Sequence, residues 1–583
     1  MDSGILDPRI DSPIAAQQKH DGVRVEKFWL KSYPPGVPAE INPGQFSSLR
    51  DLFEQSCARY ADRPAYTSFG RTLTFREVDS MSRAFAAWLQ KEARLERGDR
   101  IALMMPNILQ YPIALFGALR AGLTVVNTNP LYTARELEHQ LKDSGTRAIV
   151  VFENGAHVLA EALPHTDVEH VIVTGIGDLL GFPKAQLVNF TLRHVRKQIK
   201  PYALPGAFDF NYALEQGKWA DLDAVDLCHE DIAFLQYTGG TTGVSKGAIL
   251  TNRNMLANTL QAGTWLQSFV KDPAAQQVVL GALPFYHIFA LTSIALLWTR
   301  EGGHTLLITN PRDMAGMIAD LKKLPCSVYY GVNTLFNGLL HAPGFESVDF
   351  RPLVSSIAGG MALQGAVADR WKAVTGCLLS QGWGLTETSP IATMNPPGVG
   401  FNNSIGLPVP STEISIRDDQ GVEVALNEVG EICVRGPQVM RGYWNRPDET
   451  AQVMLEGDWL RTGDVGRMDA AGFTYLEDRK KDMILVSGFN VYPNEVEGVI
   501  ARHPGVLEVA AVSQPDERSG EVVAVFIVRK DLALTAEDVI AFSRAELTGY
   551  KVPKHVYFRD DLPKTNVGKI LRRALRDDAG KKP

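Results

Sequence analysis

Hydrophobic positions in the first third of the chain follow two different spacings. Residues 75–93 place apolar side chains at intervals of three and four, which predicts an amphipathic helix. The short runs 100–104, 124–127, 148–152 and 170–174 are instead almost continuously apolar, as strands buried on both faces are. Because such runs alternate with helical segments, the pattern predicts an α/β fold with a largely parallel sheet.

A second series of apolar runs repeats this design further along the chain. It comprises strand-like runs at 278–283, 304–308, 327–331 and 355–358, with helical spacing at 314–323 and 364–374. Two series of one design predict two similar α/β sheets within one large N-terminal domain. Residues 1–45 are rich in Pro, Gly and Asp and are predicted to form an irregular arm before that domain.

The pattern changes after Gly406, where short alternating runs separated by turn residues begin. They predict a small, barrel-like antiparallel β unit over about 406–477, which would complete a large domain of residues 46–477. Residues 478–583 mix helical and strand-like patterns and predict a small, mobile α+β C-terminal domain. The charged run Arg479-Lys480-Lys481 marks this junction, so Asp478 is the candidate hinge.

Composition limits the classes of function. A chain of 583 residues that is 45% hydrophobic can build more than one core, and its net charge of −7 gives no general attraction to nucleic acid. Its five cysteines are widely spaced and contain no C-x-x-C pair, which argues against a disulfide framework or a zinc site. The N-terminal residues lack the apolar core of a secretory signal. We therefore expect a cytoplasmic protein that does not bind nucleic acid.

The basic segment 187–200 allows two interpretations. Apolar residues such as Leu187 and Phe190 are spaced at helical intervals among basic residues such as Arg193 and Arg196. This pattern is typical of an ordinary surface helix, and a helix that lies on a membrane surface is the alternative. The sequence leaves both interpretations open.

The clearest chemical signal is the run 237–248, Tyr-Thr-Gly-Gly-Thr-Thr-Gly-Val-Ser-Lys-Gly-Ala. Its glycines let backbone N–H groups approach anionic oxygens, its hydroxyls add donors, and Lys246 adds a positive charge. It is not a Walker A motif, because Val244 stands where that motif requires its second glycine. Apolar runs lie on both sides, so we predict a turn between two strands that contacts a polyphosphate; a solvated turn has the same composition.

Six motifs in a fixed order, counting this loop, resemble those of the adenylate-forming superfamily, which includes acyl-CoA synthetases, luciferases and peptide-synthetase adenylation domains. The other five are Leu283-Pro-Phe-Tyr-His-Ile-Phe289, Gln381-Gly-Trp-Gly-Leu-Thr-Glu387, Arg461-Thr-Gly-Asp464, Asp478-Arg-Lys-Lys-Asp-Met-Ile-Leu-Val-Ser-Gly488 and Pro563-Lys-Thr-Asn-Val-Gly-Lys569. The resemblance covers about residues 49–575. Phe489-Asn-Val-Tyr-Pro-Asn-Glu495 and Gly549-Tyr-Lys-Val-Pro553 make it similar to bacterial long-chain fatty-acid:CoA ligases in particular.

The resemblance implies a two-step reaction that supplies acyl-CoA for fatty-acid degradation or lipid synthesis. A fatty carboxylate attacks the α-phosphorus of ATP to give acyl-AMP and pyrophosphate, and the thiol of coenzyme A then displaces AMP. The resemblance also implies Mg²⁺ bound through Thr238 and Glu387, and Lys569 as the catalytic lysine of the first step. The remaining residues implied to bind ATP or AMP are Tyr237, Gly239, Gly240, Thr241, Thr242, Gly243, Ser245, Lys246, Gly359, Gly360, Gly382, Trp383, Gly384, Thr386, Asp464 and Arg479.

Some of these positions carry more specific expectations. Trp383 stands where relatives usually have tyrosine and is implied to stack on adenine, while Asp464 is implied to accept hydrogen bonds from the ribose hydroxyls. The small domain is expected to rotate about Asp478 between the two steps. Ser487 and Gly488 are then implied to line the channel for coenzyme A.

The acyl chain is expected in an apolar pocket beside His287. The resemblance implies that His287 is a gate or a polar anchor near the carboxylate, and a core histidine is the alternative. Some long-chain enzymes have a gating tryptophan shortly after this histidine, but Leu291 takes the corresponding place here. The residues predicted to line the pocket are Phe285, Phe289, Leu291, Gly331 and Phe336.

Two functions other than a long-chain fatty-acid:CoA ligase stay open: a medium-chain or aryl-acid ligase of the same superfamily, and a non-catalytic nucleotide-binding scaffold. The presence of Lys569, Glu387 and Asp464 favours an enzyme. An amino-acid-adenylating domain is disfavoured, because residues 283–297 contain no acid that could hold a substrate ammonium group. Peripheral contact with the cytoplasmic face of the inner membrane and a homodimer are open as well.

Overall fold

The computed structural model describes residues 27–238, 245–269, 272, 275–516, 518–565 and 567–579. Residues 1–26 of the predicted arm lie outside this range, and so do Gly239, Gly240, Thr241, Thr242 and Gly243 of the phosphate loop. The described part of the arm has short 3₁₀ turns at Phe28–Ser32 and Pro43–Gln45. It is held to the large domain by the buried side chain of Trp29 and by a 2.6 Å hydrogen bond from the Tyr33 hydroxyl to the Pro408 carbonyl.

The first sheet has eight strands and is mainly parallel. Strand Ile232–Thr238 pairs antiparallel with Lys246–Thr251, so the phosphate loop connects two neighbouring strands, as predicted. In spatial order the strands are Gly442–Tyr443, Lys246–Thr251, Ile232–Thr238, Thr124–Asn127, Arg100–Met104, Thr146–Phe152, His170–Thr174 and Phe208–Asp209.

The second sheet has nine strands and is parallel through its centre. Its two outermost strands on one side, Pro64–Ser68 and Arg71–Thr74, come from the beginning of the chain. In spatial order the strands are Leu407–Pro408, Ile391–Met394, Leu379–Gly384, Ser355–Ala358, Val328–Gly331, Val278–Gly281, His304–Leu307, Pro64–Ser68 and Arg71–Thr74. The two large sheets confirm the predicted α/β class.

Two five-stranded sheets follow these in the chain. The third sheet is antiparallel, as expected for the β-rich unit, but the pairings of its described strands form an open sheet and not a closed barrel; its strands are Glu413–Arg417, Gly430–Arg435, Met454–Leu455, Trp459–Met468 and Thr474–Arg479. The fourth sheet consists of Ile484–Val486, Phe489–Val491, Val506–Asp516, Gly520–Arg529 and His555–Arg559. It packs with helices to form the small α+β domain, which has hydrophobic cores of its own.

Helices cover the sheets, and their starts show why these segments are helical. Thr74 and Thr251 each begin a helix with a capping box. The threonine side chain accepts a hydrogen bond from the backbone N–H of the third helical residue, and the side chain of that residue accepts one from the backbone N–H of the threonine. The helices of eight or more residues are Leu49–Tyr60, Phe75–Lys91, Gln110–Arg120, Ala134–Ser144, Phe210–Trp219, Asn252–Gln267, Met314–Lys323, Asn333–His341, Gly365–Thr375, Pro493–Ile500, Ala536–Glu546 and Arg572–Ala579. Shorter helical segments lie at Ala156–Ala162, Lys184–Phe190, Ile288–Ala290, Leu297–Arg300 and Pro447–Val453.

The candidate site residues gather where strands end. Thr238, Gly331, Ala358 and Gly384 are the last residues of their strands. In open α/β sheets, ligands bind in the crevice outside these carboxyl ends. In the described part of the chain, no helix is both long enough and apolar enough to cross a membrane.

Candidate active site

Two cavities meet at Lys569, between the large and small domains. The first, of about 380 Å³, is lined by Thr238, Lys246, His287, Phe289, Gly359, Glu387 and other residues. The second, of about 540 Å³, extends towards Asp464, Asp478 and Arg572. Both include Gly360, Gly382, Trp383, Gly384, Arg479 and Lys569. Most of the residues predicted from the motifs are thus brought to one continuous region.

Lys569 reaches this region from the small domain. Its loop is held to the large domain by a 2.9 Å hydrogen bond from the Thr334 hydroxyl to the Gly568 carbonyl. A Cβ atom on Gly360 would lie 3.3 Å from Cε of Lys569, and the positive φ of Gly360, 77°, also favours glycine. Burial, together with the nearby charge of Arg479, lowers the pKa of Lys569 to about 8. The ammonium group is therefore held where water screens it poorly.

Trp383 and Asp464 are joined by a direct hydrogen bond. The indole N–H of Trp383 donates to Oδ2 of Asp464 over 2.8 Å, and Nε of Arg479 lies 3.2 Å from Oδ1 of the same carboxylate. The side chain of Asp464 is buried, and these two groups provide a partner for each of its carboxylate oxygens. Tryptophan at position 383 thus provides a polar contact in addition to its aromatic face.

Glu387 lies in a short 3₁₀ turn, Thr386–Thr388, that follows strand Leu379–Gly384. Its Oε1 accepts a 2.7 Å hydrogen bond from the hydroxyl of Tyr443. A Cβ atom on Gly384 would lie 1.7 Å from the Pro390 carbonyl oxygen, so only glycine lets the chain turn there. Glu387, Thr386 and Thr238 all line the first cavity.

The described residues on either side of the phosphate loop are anchored to the large domain. The hydroxyl of Tyr237 donates to Asp143 over 2.7 Å, and the carbonyl of Ser245 accepts a hydrogen bond from His139. Lys246 forms an ion pair with Glu449, and its Nζ lies 5.2 Å from the centre of the Tyr443 ring. Lys246 is therefore engaged by protein groups at the edge of the first cavity.

His287 also lines the first cavity, where it caps the short helix Ile288–Ala290. Its Nδ1 accepts a 3.3 Å hydrogen bond from the backbone N–H of Phe289. Burial and the nearby charge of Lys569 lower the pKa of His287 to about 3. The imidazole is therefore neutral near pH 7, and it both contacts the cavity and bonds to nearby backbone.

Of the five residues predicted to line an acyl pocket, only Phe289 borders the first cavity in the described structure. Phe285 packs against Tyr111, with ring centres 5.6 Å apart, and Phe336 packs against Trp371 at 4.7 Å. Leu291 is fully buried, and Gly331 is covered by Phe336. These four residues do not border the first cavity, and their contact with an acyl chain stays a prediction, because an apolar residue looks the same in a sequence whether it faces core or cavity.

Several cavity residues were missed by the sequence motifs. Ser293 lies four residues after Phe289 and borders the same cavity, so helical spacing was a usable signal. Its hydroxyl oxygen is buried and has no hydrogen-bond partner among the described residues. Tyr330, Met394 and Tyr443 gave no signal, because they come from separate strands that only the fold brings together.

Asp478 is buried at the junction of the domains, next to the charged run 479–481. It accepts hydrogen bonds from the backbone N–H groups of Arg479 and Asn494, and Nη1 of Arg572 lies 3.9 Å from its Oδ1. Burial raises the pKa of Asp478 to about 6, and Arg572 limits the rise.

Ser487 and Gly488 are not brought to the described cavities. They form the exposed turn between strands Ile484–Val486 and Phe489–Val491, with φ values of 50° and 87°. No described atom lies within 4 Å of a Cβ atom built on Gly488. In this arrangement of the two domains the turn faces solvent.

Comparisons with known proteins agree with this fold. The model of the AMP-binding enzyme family matches residues 53–444, and the model of the AMP-binding enzyme C-terminal domain matches residues 495–569. A crystal structure of an anthranilate CoA ligase with anthranoyl-AMP superposes with a TM-score of 0.81 at 24% identity and covers 92% of this chain and 99% of its own. That likeness supports the fold.

The two-domain fold and the cavity between its domains thus define an adenylate-forming enzyme, and the chain belongs to the AMP-binding enzyme family. Within the family it is similar over nearly its full length to long-chain-fatty-acid–CoA ligases. The relative from Escherichia coli O157:H7 is 55% identical over 95% of this chain and 99% of its own length. The relative from Haemophilus influenzae is 50% identical, with the same coverage.

Proposed function

We infer that this chain is a long-chain fatty-acid:CoA ligase that forms acyl-AMP and then acyl-CoA. The observation that carries the inference is that Lys569 of the small domain lies in one cavity with Glu387 and His287 of the large domain. Near-full-length similarity to long-chain-fatty-acid–CoA ligases supports the substrate class.

In the first step, a carboxylate oxygen of the fatty acid bonds to the α-phosphorus of ATP, and the bond to pyrophosphate breaks. We propose that Trp383 stacks on adenine while Asp464 accepts hydrogen bonds from the ribose. The poorly screened charge of Lys569 would then stabilise the negative charge that builds up between carboxylate and phosphate. Neutral His287 can form a hydrogen bond with the fatty carboxylate without adding charge.

The donor groups fit a magnesium ion that is bound jointly with the substrate phosphates. Glu387 offers a carboxylate and Thr238 a hydroxyl in the same cavity, and hard oxygen ligands are those that Mg²⁺ prefers. The described residues contain no cluster of three or more His, Cys, Asp or Glu side chains able to hold a metal, which suits an ion that takes its other ligands from phosphate and water. When bound, the ion would partly neutralise the negative charge of the phosphates.

In the second step, the sulfur of coenzyme A bonds to the acyl carbon, and AMP leaves. Lys569 occupies the region that coenzyme A would have to enter, and the turn of Ser487 and Gly488 lies outside it. We propose that the small domain rotates about Asp478 between the steps, which removes Lys569 and brings this turn to the cavity.

The test of the function is the conversion of ATP to AMP that depends on both a long-chain fatty acid and coenzyme A. We expect oleate to support pyrophosphate release and oleoyl-CoA formation, and Glu387→Ala to abolish the first step at saturating Mg²⁺. A preference for benzoate or for short acids would contradict the substrate class. Absence of pyrophosphate release with every carboxylate would instead favour a nucleotide-binding scaffold.

Two finer proposals concern location and assembly. A fatty acid partitions into bilayers, so peripheral contact with the cytoplasmic face of the inner membrane would give the enzyme access to its substrate. A homodimer is the simplest assembly to test, by light scattering across protein concentrations. A constant monomer mass would rule the dimer out.

A further inference from the structure

The segment 182–200 forms a surface that carries apolar and basic side chains together. Helix Lys184–Phe190 continues as a π-helical turn, Thr191–Val195. Four apolar side chains on this segment point to solvent: Phe182, Leu187, Phe190 and Val195 are 86%, 67%, 57% and 67% exposed. We call residues 182–200 the apolar–basic surface.

An ordinary surface helix buries its apolar side chains against the protein. In this segment Val188 packs against the main core, while Leu187 and Phe190 remain exposed. The helix is also shorter than the segment 187–200 singled out in the sequence, since it ends at Val195 and Lys197 has a positive φ of 49°. The structure thus disfavours the ordinary-helix interpretation, because the predicted apolar face is not the face that packs.

Charge on this surface is of one sign. Residues 182–200 contain five Lys or Arg and no Asp or Glu, in a chain whose net charge is −7. All five basic residues are exposed: Lys184, Arg193, Arg196, Lys197 and Lys200. Arg193 forms an ion pair with Glu153 over 2.7 Å, which ties the segment to the large domain. An anionic partner is therefore attracted here, although the molecule as a whole is acidic.

A bilayer with anionic lipids matches both properties. Apolar side chains insert at the boundary between headgroups and acyl chains, and basic side chains contact lipid phosphates at the same depth in the bilayer. A second copy of this chain matches poorly, because a two-fold contact would place the same basic residues against each other. Nucleic acid would attract the basic residues but would leave the four apolar side chains without a partner.

The apolar–basic surface is also connected, through hydrogen bonds and residues 107–110, to the segment that contains His287. The Asn189 side chain forms hydrogen bonds of 2.8 and 2.7 Å with the turn 175–178. Gln110 donates to a carbonyl of that turn over 2.8 Å, and Asn107, three residues earlier, accepts from the N–H of Phe285. Phe285 belongs to the segment that leads to His287. These hydrogen bonds therefore connect the surface with the active site.

We propose that the apolar–basic surface docks the enzyme on bilayers that contain anionic phospholipids. This identifies the surface for the peripheral contact suggested above, and its test needs no catalysis. The test is cosedimentation of the whole protein with phosphatidylglycerol-containing vesicles and with pure phosphatidylcholine vesicles. We expect stronger binding to the anionic vesicles, and weaker binding at high salt.

Two variants separate the two properties of the surface. The first is the triple variant Arg196→Gln/Lys197→Gln/Lys200→Gln. It should lower the partition coefficient on anionic vesicles about a hundredfold, at about fivefold per charge removed. Leu187→Ser/Phe190→Ser should weaken it about tenfold or more. All five side chains are exposed, so the fold should persist, and thermal unfolding would check this.

Matched controls change similar residues elsewhere. Lys322→Gln/Lys323→Gln/Lys372→Gln removes three exposed lysines, and Leu532→Ser removes an apolar side chain that is 78% exposed. Both should bind anionic vesicles like the unmodified protein. Equal loss in the controls, or unchanged binding in the two test variants, would overturn the proposal. A change in oligomeric mass in the test variants, with vesicle binding intact, would assign the surface to a second copy and would overturn it too.

Discussion

Lys569 combines burial with several charged neighbours. Its ammonium group lies between two domains, where Arg479 opposes its charge and Asp464 and Glu387 favour it. A charge in such a poorly hydrated place acts more strongly on a transition state than the same charge in water. Its proposed role therefore rests on where the domain arrangement puts it.

Replacing this residue should affect one half-reaction only. We expect Lys569→Ala to lower acyl-AMP formation by roughly 10²- to 10³-fold and to leave thioester formation from supplied acyl-AMP nearly unchanged. Pyrophosphate release and acyl-CoA formation would be measured separately. Lys554→Ala, at an exposed lysine of the same domain, is the matched control. Equal loss in both half-reactions would contradict the role.

The lowered pKa predicts a pH profile for the first step. Because the charged form is the active one and its pKa is about 8, adenylation should decline as pH rises through and above that value. Bound phosphates favour the ammonium form, so ATP would move the decline to higher pH. Lys569→Arg, which stays charged, should be slower but should not show the decline. If adenylation by this variant declined with the same midpoint pH, the decline would belong to a titrating group other than Lys569.

The bond between Trp383 and Asp464 predicts how adenosine recognition depends on the indole N–H. Trp383→Phe keeps an aromatic face but leaves the buried carboxylate with one donor fewer. We expect the KM for ATP to rise about tenfold, because a hydrogen bond to a charged group is lost. Trp383→Tyr, which restores a donor, is the control. If the Trp383→Phe and Trp383→Tyr variants had equal KM values for ATP, the indole N–H would have no part in ATP binding.

Polar site residues could be predicted from the sequence far better than apolar ones. Thr238, Glu387 and Lys569 stand in motifs whose residue types fit only a few kinds of chemistry, and the fold brings them to one cavity. Phe285 and Phe336 stand beside such motifs but pack into the core, since hydrophobicity does not say which cavity or core a side chain enters. Tyr443, whose hydroxyl bonds to Glu387, lies 56 residues away from it.

At the level of elements, local patterns predicted positions well and pairings poorly. Strand Ser355–Ala358 and helix Met314–Lys323 have the predicted bounds, because apolar spacing is a local property. Strand Pro64–Ser68 joins the second sheet, beside His304–Leu307, across more than two hundred residues. Strand partners this distant are chosen by packing of the whole domain, which no local pattern contains.

The end of strand Thr474–Arg479 is the element on which the proposed rotation depends. Asp478 pairs with Val465 across the third sheet and is bonded to the first turn of helix Pro493–Ile500 through Asn494. We expect Asp478→Pro to slow thioester formation about tenfold or more and to affect adenylation less, because proline fixes the backbone where it must turn. Asp478→Ala removes the carboxylate but leaves the backbone free, and is the control. Unchanged thioester kinetics in the proline variant would remove the hinge role.

At the scale of the whole molecule, the two domains have separate cores and meet at the site. Among the described residues, helix Asn333–His341 of the large domain donates two hydrogen bonds to the small domain, from Thr334 to the Gly568 carbonyl and from Asn337 to the Leu507 carbonyl at 3.0 Å. These contacts hold Lys569 in the cavity and keep the turn of Ser487 outside it. On the mechanism proposed above, this arrangement serves acyl-AMP formation, and the attack by coenzyme A requires another arrangement.

A covalent bridge between the domains tests whether this arrangement must change during turnover. In a Cys228→Ser background, which removes an exposed thiol, Asn337→Cys/Leu507→Cys would be joined by a short, reducible thiol cross-linker. The bridged enzyme should still form acyl-AMP and release pyrophosphate in a single turnover, because Lys569 stays in place. It should not form acyl-CoA until the bridge is reduced, because the small domain cannot rotate. Each single cysteine variant, treated with the same reagent, controls for modification alone. Full acyl-CoA turnover in an enzyme shown by mass to be bridged would mean that both steps occur in this one arrangement.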